Sequence, residues 1–423
     1  MPHRSSSTQS QEHASTKVVS FSEAAIVVQQ YASGLAPTQP ELVSLLDALR
    51  LVLAEDLVAD RDFPPFPRAT RDGYAVRSAD VKSVPAKLRC IAELKAGASV
   101  TQSAVRLGKG EAVEIMTGAP VPQGADAVVM VEYTGRRGSS VTVKRSVAAG
   151  ENVVAAGSEA RKGDPMVACG TRVNHAVVAV AAAIGKADVA VYRRPRVAIL
   201  ATGDEVVDIN LPPGPNEIRN SNSYSLAAQV YEAGGEPRIL PVAHDKIDEI
   251  ELLVRKGAEA DLLLLTGGVS MGKYDLVEQA LEKLGARFFF TGVLIQPGKP
   301  LVFGELSTSV KTTPFFGLPG NPVSTMVTFQ LFGKRIVDAL AGARSEAPLF
   351  TQARLGSGFK TKTGLTRFLP AKLQGSHEGP EVEVVKWQGS GDLMAASRAN
   401  CYIVVPPDRE QFKAGESISV LAF

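Results

Sequence analysis

The stretch "DLLLLTGGVSMGKYD" (residues 261–275) joins an apolar run to a glycine-rich loop. Four leucines followed by a threonine and two glycines predict a buried strand that ends in a sharp turn. From Gly267 the spacing is that of a P-loop, in which backbone N–H groups surround phosphates. A P-loop continues with Ser or Thr to hold magnesium, but this chain has Tyr274 and then Asp275. The stretch therefore predicts a different kind of anion site, in which the glycines surround the anion and Asp275 takes the metal-binding role of the P-loop hydroxyl.

Similar strands recur on both sides of this stretch. "RVAIL" (196–200) leads into "ATGDE", and "TPFFGL" (313–318) leads into "PGNP". Helical segments with capping residues and terminal glycines separate these strands, and this alternation predicts a mostly parallel sheet with helices on both faces. The fold class predicted is a doubly wound α/β domain flanked by β-rich N-terminal modules and a small C-terminal β-barrel.

The rest of the chain divides by composition. Segments around residues 40–59 predict a short helix followed by an extended segment, and short strands with glycine turns dominate from Asp80 to about Val147. The predicted domains are a disordered tail (1–17), an N-terminal linker and dimerisation domain (18–62 and 148–194), an inserted β-rich domain (63–147), the α/β domain (195–342) and the barrel (343–423).

Composition excludes several function classes. A net charge of +2 gives no global field for nucleic acid or an anionic membrane. The three cysteines and five histidines have no metal-ligand or disulfide spacing. The longest apolar run, residues 176–184, is half the length needed to span a bilayer. We expect a cytoplasmic protein without a membrane or nucleic-acid partner.

The residues that could bind a ligand or take part in catalysis cluster at the strand ends. Ligands of parallel α/β sheets sit outside the carboxyl ends of the strands. Glycines in the loop after Leu265 allow close backbone approach to an anion. A further loop, "QPGKP" (296–300), presents Lys299. Carboxylates nearby would repel a phosphate unless a divalent cation such as Mg²⁺ lay between them; the candidates are Asp72, Asp204, Glu205 and Asp275.

Taken in order, seven motifs resemble the molybdopterin molybdenumtransferase family, which includes the MoeA proteins and the E domain of gephyrin. They are "RDGYAVR" (71–77), "EIMTGAPVPQGADAVVMVE" (114–132), "ATGDEV" (201–206), "TGGVSMGKYD" (266–275), "QPGKPLVFG" (296–304), "GLPGNPVS" (317–324) and "WQGSGDLMAASRANCYIVVP" (387–406). Each is weak alone, but the set occurs in family order from residue 71 to residue 406.

The resemblance implies an enzyme that inserts molybdenum into adenylylated molybdopterin, consuming molybdate with Mg²⁺ and releasing AMP. It also implies a homodimer and an upstream adenylyltransferase as partner. Matching the motifs gives catalytic positions Asp72, Thr117, Glu205 and Asp275, of which the three carboxylates would bind the metal. The substrate-binding positions it implies are Gly267, Gly268, Ser270, Lys299, Pro319, Gly320, Asn321, Arg367 and Ser390.

Two departures from the family pattern concern charge. Arg71 stands beside Asp72, and Gln296 occupies a position where the family often has lysine. Three alternatives remain at this point: the adenylyl-transfer step that precedes insertion, a gephyrin-like binding scaffold, and a P-loop NTPase, which Tyr274 disfavours.

Overall fold

A six-stranded sheet forms the centre of the computed structural model, which describes residues 17–97, 105–267, 276–344, 350–376 and 379–423. Four strands are parallel and two antiparallel strands extend one edge. In spatial order the strands are Glu236–Ile239, Arg196–Ala201, Leu262–Thr266, Thr312–Leu318, Val302–Ser307 and Arg287–Phe290. The predicted fold class is confirmed.

Helices cover both faces of this sheet because its central strands are apolar on both sides. Ile199 and Leu264 belong to one core cluster, whereas their chain neighbours Leu200 and Leu265 belong to the other. This is the alternation that a pleated strand requires. The first face carries the helices Phe21–Ser33, Ser221–Glu232, Pro322–Thr328 and Lys334–Leu340, and the second carries Ile247–Gly257 and Leu276–Lys283.

The first helix, Phe21–Ser33, is capped by Ser20. Ser20 accepts a hydrogen bond from the N–H of Glu23, and the Glu23 side chain accepts one from the N–H of Ser20. This reciprocal pair satisfies two backbone donors at the helix start. Between Pro322–Thr328 and Lys334–Leu340 the chain continues as one π-helical turn, Phe329–Gly333.

The N-terminal segments on either side of the inserted domain share one core. Strand Pro40–Ser44 pairs with Asp188–Tyr192, Leu57–Val58 pairs with Pro165–Val167, and helix His175–Ala183 packs beside them. The short helix predicted near residues 40–59 is wrong. That segment instead forms a strand and turns, because pairing with strand Asp188–Tyr192, far along the chain, satisfies its backbone.

A second six-stranded sheet makes up the inserted domain. Its order is Ala127–Met130, Gly73–Val76, Glu111–Ile115, Ala86–Leu94, Ser140–Val143 and Thr134–Arg137. Two 3₁₀ turns, Ser78–Val81 and Val131–Tyr133, lie within this part of the chain.

The C-terminal domain is a closed five-stranded barrel. Its strands follow the order Thr366–Ser376, Gly379–Val384, Phe350–Leu355, Ser417–Ala422 and Cys401–Val405, and the last pairs with the first. The short helix Leu393–Arg398 precedes strand Cys401–Val405. Ile295–Gln296 of the α/β domain pairs with Thr366–Arg367, which attaches the barrel to that domain.

Four two-stranded pairs complete the described secondary structure. They are Val18–Val19 with Gly292–Val293, Arg68–Ala69 with Val153–Val154, Val206–Val207 with Ile218–Arg219, and Phe359–Lys360 with Gln411–Phe412. Within the described ranges, no helix has both the length and the hydropathy that a membrane crossing requires.

Candidate functional site

Three parallel strands end side by side at one edge of the central sheet, and the loops that follow them approach closely. Gly267 has a φ of 89°, and a Cβ there would lie 2.3 Å from the carbonyl oxygen of Thr202. A Cβ on Gly320 would lie 3.5 Å from Cα of Gly267. Only glycine fits at Gly267, because a side chain would meet backbone that cannot move aside. The backbone is therefore available to a ligand at this edge.

An asparagine that the sequence analysis did not single out holds these loops together. Nδ2 of Asn222 donates to Oγ1 of Thr266 at 3.0 Å and to the carbonyl oxygen of Gly320 at 2.7 Å. The carbonyl oxygen of Pro319 accepts from Oγ1 of Thr325 at 2.5 Å. Asn222 follows a capping residue in "RNSNS", and its position in the first helical turn is a signal that sequence could have given.

A cavity of about 710 Å³ opens where these loops face the C-terminal barrel. The α/β domain contributes the strand-end loops and the loop at Lys299, and the barrel domain contributes the turn at Ser390. Of the residues predicted to act on substrate or metal, seven line it: Glu205, Gly267, Lys299, Pro319, Gly320, Asn321 and Ser390. The structure also places Gln296, Leu365 and Trp387 on its wall.

Lys299 is held toward the cavity by its main chain. Its carbonyl oxygen accepts the N–H groups of Val293 at 2.9 Å and Leu301 at 3.0 Å. Gly298 has a φ of 113°, and a Cβ there would lie 2.5 Å from Cγ2 of Thr328. The loop is thus fixed without help from the lysine side chain, which is exposed and is the one Lys or Arg among the described residues that line the cavity.

Ser390 is joined directly to the α/β domain. Its hydroxyl accepts a hydrogen bond from Nδ2 of Asn321 at 2.9 Å, and its carbonyl accepts the N–H of Val323 at 3.0 Å. Asp392 braces the same turn by accepting the N–H groups of Ala395 and Gln388, which together hold the pKa of its carboxyl below the usual range. The turn therefore presents the hydroxyl in a fixed place.

Glu205 is the one carboxylate among the described residues that line the cavity. A Cβ on Gly203, whose φ is 136°, would lie 2.6 Å from Oε2 of Glu205, so the carboxylate rests against this glycine. Its neighbour Asp204 points elsewhere: it accepts the N–H of Asp245 at 3.1 Å and lies 3.3 Å from Nδ1 of His244.

The donor chemistry fits a hard cation only in part. Glu205 supplies the oxygen ligand that Mg²⁺ prefers, yet the described residues contain no group of three or more metal-ligating side chains. Asp275, the second carboxylate predicted for this loop, lies outside the described residues, as do Gly268 and Ser270. Their predicted roles stay predictions.

Asp72 and Thr117 form a pair in the inserted domain, and neither residue lines the cavity. Oδ1 of Asp72 accepts the N–H of Thr117 at 2.7 Å and its hydroxyl at 2.8 Å. These two hydrogen bonds, the backbone one first, hold the pKa of the Asp72 carboxyl below its usual range. These hydrogen bonds favour the charged form of Asp72. Within one chain, however, neither residue of the pair lines the cavity that contains Glu205.

Arg367 adjoins the cavity without lining it. The residue is 7% exposed, its backbone pairs with Gln296, and its Nη1 donates to the carbonyl of Leu365 at 3.1 Å. Arg367, a predicted substrate contact, therefore does not line the cavity. Its guanidinium group instead donates a hydrogen bond to the backbone of Leu365, which does line it.

Known proteins resemble this chain along nearly its whole length. The molybdopterin molybdenumtransferase of Bacillus subtilis (strain 168) is 35% identical over 392 residues, 90% of both chains. This chain belongs to the molybdopterin molybdenumtransferase family. A member of that name from Staphylococcus aureus (strain Mu50) is 34% identical over 390 residues, again 90% of each. The family predicted from the motifs is confirmed.

Domain-level and structural comparisons agree with membership of the family. Residues 19–185 match the MoeA N-terminal region (domain I and II), residues 198–339 a probable molybdopterin binding domain, and residues 352–423 the MoeA C-terminal region (domain IV). The crystal structure of the molybdopterin biosynthesis MoeA protein from Pyrococcus horikoshii OT3 superposes with a TM-score of 0.79 at 29% identity, covering 96% of this chain and 100% of that one.

Proposed function

We propose that this protein is a transferase of molybdenum cofactor biosynthesis that inserts molybdenum, supplied as molybdate, into adenylylated molybdopterin with release of AMP. The observation that carries the proposal is the cavity in which Lys299, Ser390 and Glu205 face the glycine loops. The lysine and the serine hydroxyl suit an oxyanion, and the open backbone suits a phosphate. The carboxylate suits a metal cation. Family membership supports the same conclusion.

In this proposal Lys299 and Ser390 hold molybdate, a dianion that needs fixed donors. The lysine gives a charge-assisted hydrogen bond, and the serine hydroxyl, already accepting from Asn321, is oriented to donate. The backbone at Gly267 and Gly320 carries the phosphate groups. Hydrolysis of the phosphoanhydride frees AMP. The two dithiolene sulfurs then displace an oxygen ligand of molybdate, which leaves as water with the two thiol protons.

Mg²⁺ completes the proposal because Glu205 would otherwise face bound phosphate. When bound, the ion neutralises the phosphoanhydride and makes it easier to cleave. We expect Glu205→Gln to raise the Mg²⁺ concentration that gives half-maximal AMP release. Asp204→Asn is the matched control, since its carboxylate contacts Asp245 and His244 instead. Equal Mg²⁺ dependence in the two variants would remove Glu205 from the metal site.

The function is tested by direct reconstitution. Purified protein is incubated with adenylylated molybdopterin, molybdate and Mg²⁺, and AMP release and activation of a cofactor-free molybdoenzyme are measured. Both should require molybdate. Production of adenylylated molybdopterin from ATP and molybdopterin, with no insertion, would instead assign the preceding adenylyl-transfer step and overturn the proposal.

The position of Asp72 and Thr117 leads to a second part of the proposal: a homodimer whose sites are shared. Each chain's inserted domain would bring its Asp72–Thr117 pair to the cavity of the partner. The exposed face of the N-terminal domain supports an interface, since Leu42 is 71% and Leu46 79% exposed near an edge strand. Such a face suits contact with a second copy.

Subunit exchange tests the shared site. Asp72→Asn and Glu205→Gln are made separately, and the two dimers are mixed at a Mg²⁺ concentration too low for Glu205→Gln to act by itself. A shared site predicts one intact site in every mixed dimer, so roughly a quarter of the wild-type activity returns at random exchange.

The control mixture is Asp72→Asn with Asp72→Ala. Both lesions lie in the inserted domain, so every site keeps one and activity stays absent. If the Asp72→Asn and Glu205→Gln mixture also stays inactive although exchange is demonstrated, the sites are not shared.

A further inference from the structure

The chain's single tryptophan, Trp387, lines the cavity beside the turn that carries Ser390. It follows strand Gly379–Val384 and packs in part against the main hydrophobic core. Among the described residues that line this cavity it is the one aromatic side chain. A large planar surface therefore stands at the wall of an otherwise aliphatic and polar site.

Among the described residues, no aromatic ring pairs with the indole ring of Trp387. Within the described ranges, the aromatic side chains that pair with one another are all Phe or Tyr, mostly in the core of the central sheet. Trp387 is half-buried, with one part against the core and the rest toward the cavity. Aromatic faces prefer offset contact with other π systems, so the exposed part is free to meet one.

The neighbouring wall is suited to a flat ring. Leu365 and Ile295 are brought together because Ile295 pairs with Thr366, and Pro297 follows on the same loop. Of these three, Leu365 is partly exposed and offers apolar surface without hydrogen-bonding groups, whereas Ile295 and Pro297 are buried. The charged groups of Lys299 and Glu205 serve other parts of a ligand. A planar heterocycle with a phosphate attached matches this distribution.

We propose that Trp387 is a specificity-determining residue that stacks on the planar heterocycle of the substrate. Two rings share the required chemistry, adenine and pterin, and the proposed substrate contains both. The inference rests on the proposed function for the identity of the ring, but stacking itself can be measured without any turnover. Base–aromatic stacking of ~1–3 kcal/mol corresponds to roughly five- to hundredfold in affinity.

A fluorescence titration of the wild-type protein tests the contact, because a single tryptophan reports from a known place. The probes are AMP, 6-hydroxymethylpterin and ribose 5-phosphate, with N-acetyltryptophanamide as the control for light absorbed by the ligand. Saturable quenching by AMP identifies adenine as the stacked ring, and quenching by the pterin alone identifies pterin. If ribose 5-phosphate quenches as strongly as both, or if no probe quenches, the proposal is overturned.

Two variants separate stacking from simple space filling. Trp387→Phe keeps an aromatic face, so its affinity for the probe that quenches the wild-type protein, measured by calorimetry, should lie within about threefold of the wild-type affinity. Trp387→Leu keeps apolar volume but has no aromatic face, so its affinity for the same probe should be about tenfold lower or worse. In turnover the leucine variant should raise KM for adenylylated molybdopterin and leave kcat nearly unchanged.

Failure of this inference is distinguishable from failure of the proposed function. Insertion activity with an unaltered KM in Trp387→Leu refutes stacking and leaves the function standing. Saturable quenching by AMP in a protein without insertion activity refutes the function and leaves stacking standing. Should the leucine variant not fold, the wild-type titration and the phenylalanine variant still decide the matter.

Discussion

Replacement of Lys299 by alanine should weaken the use of molybdate without weakening the fold. The loop at Lys299 is held by two backbone hydrogen bonds to its carbonyl and by the close packing of Gly298 on Thr328. The side chain itself is exposed, so its removal leaves no buried group without a partner. The free energy of unfolding should therefore change by less than about 0.5 kcal/mol.

The size of the effect on molybdate follows from the cavity wall. Lys299 is the single cation among the described residues that line it, and its neighbour Gln296 is neutral. Among the described residues of that wall, no second lysine or arginine can replace it. A hydrogen bond to a charged group contributes ~1.5–3 kcal/mol, which corresponds to roughly a tenfold to hundredfold rise in the molybdate concentration required.

The assay measures AMP release or cofactor formation across a molybdate titration at saturating adenylylated molybdopterin. Lys299→Arg should restore part of the affinity, because it keeps the charge. Lys360→Ala removes an equally exposed lysine from the barrel domain and should leave the titration unchanged. If folded Lys299→Ala has the wild-type molybdate dependence, the oxyanion binds elsewhere and the assignment of Lys299 is refuted.

Two further predictions concern backbone space and protonation. Gly267→Ala should abolish activity, and in urea unfolding it should destabilise the protein by more than Gly285→Ala does. Both glycines have a positive φ, which costs ~1–2 kcal/mol for alanine. Of the two, only Gly267 would place its Cβ against backbone, 2.3 Å from the carbonyl oxygen of Thr202. Thr117→Val should move the acidic limb of the pH–kcat/KM profile to higher pH. The hydroxyl of Thr117 helps to lower the pKa of the Asp72 carboxyl, and the carboxyl loses its charge as the pH falls through that pKa. Without the hydroxyl this pKa rises, so the charge is lost at a higher pH. If the acidic limb of the profile does not move, Asp72 has no part in catalysis.

Local patterns were sufficient for most of the central domain. The strands near 196–200, 261–265 and 313–318 and the helices between them were predictable, because alternating burial, capping residues and terminal glycines are encoded within a few residues of each element. The capping box at Ser20 is one such signal. Parallel strands end at the same edge, so the convergence of Gly267, Pro319 and Gly320 followed from order along the chain.

Contacts between distant segments were not predictable in this way. Strand Pro40–Ser44 looked helical in part, and only its pairing with Asp188–Tyr192 made it a strand. Asn222 reads locally as a residue beside a helix cap, whereas its amide joins the ends of two strands. Trp387 and Arg367 both belong to the barrel domain, and which of them reaches the cavity depends on how that domain docks.

The sequence alone thus determined the alternating α/β domain, the family and the loops that carry its chemistry, because those features depend on short-range patterns. The tertiary structure decided which side chains share a cavity: Glu205, Lys299 and Ser390 meet there, Arg367 stands behind the wall, and the Asp72–Thr117 pair lies apart. The physical reason is that proximity across domains is set by docking of folded surfaces, and each surface is assembled from residues far apart in the chain.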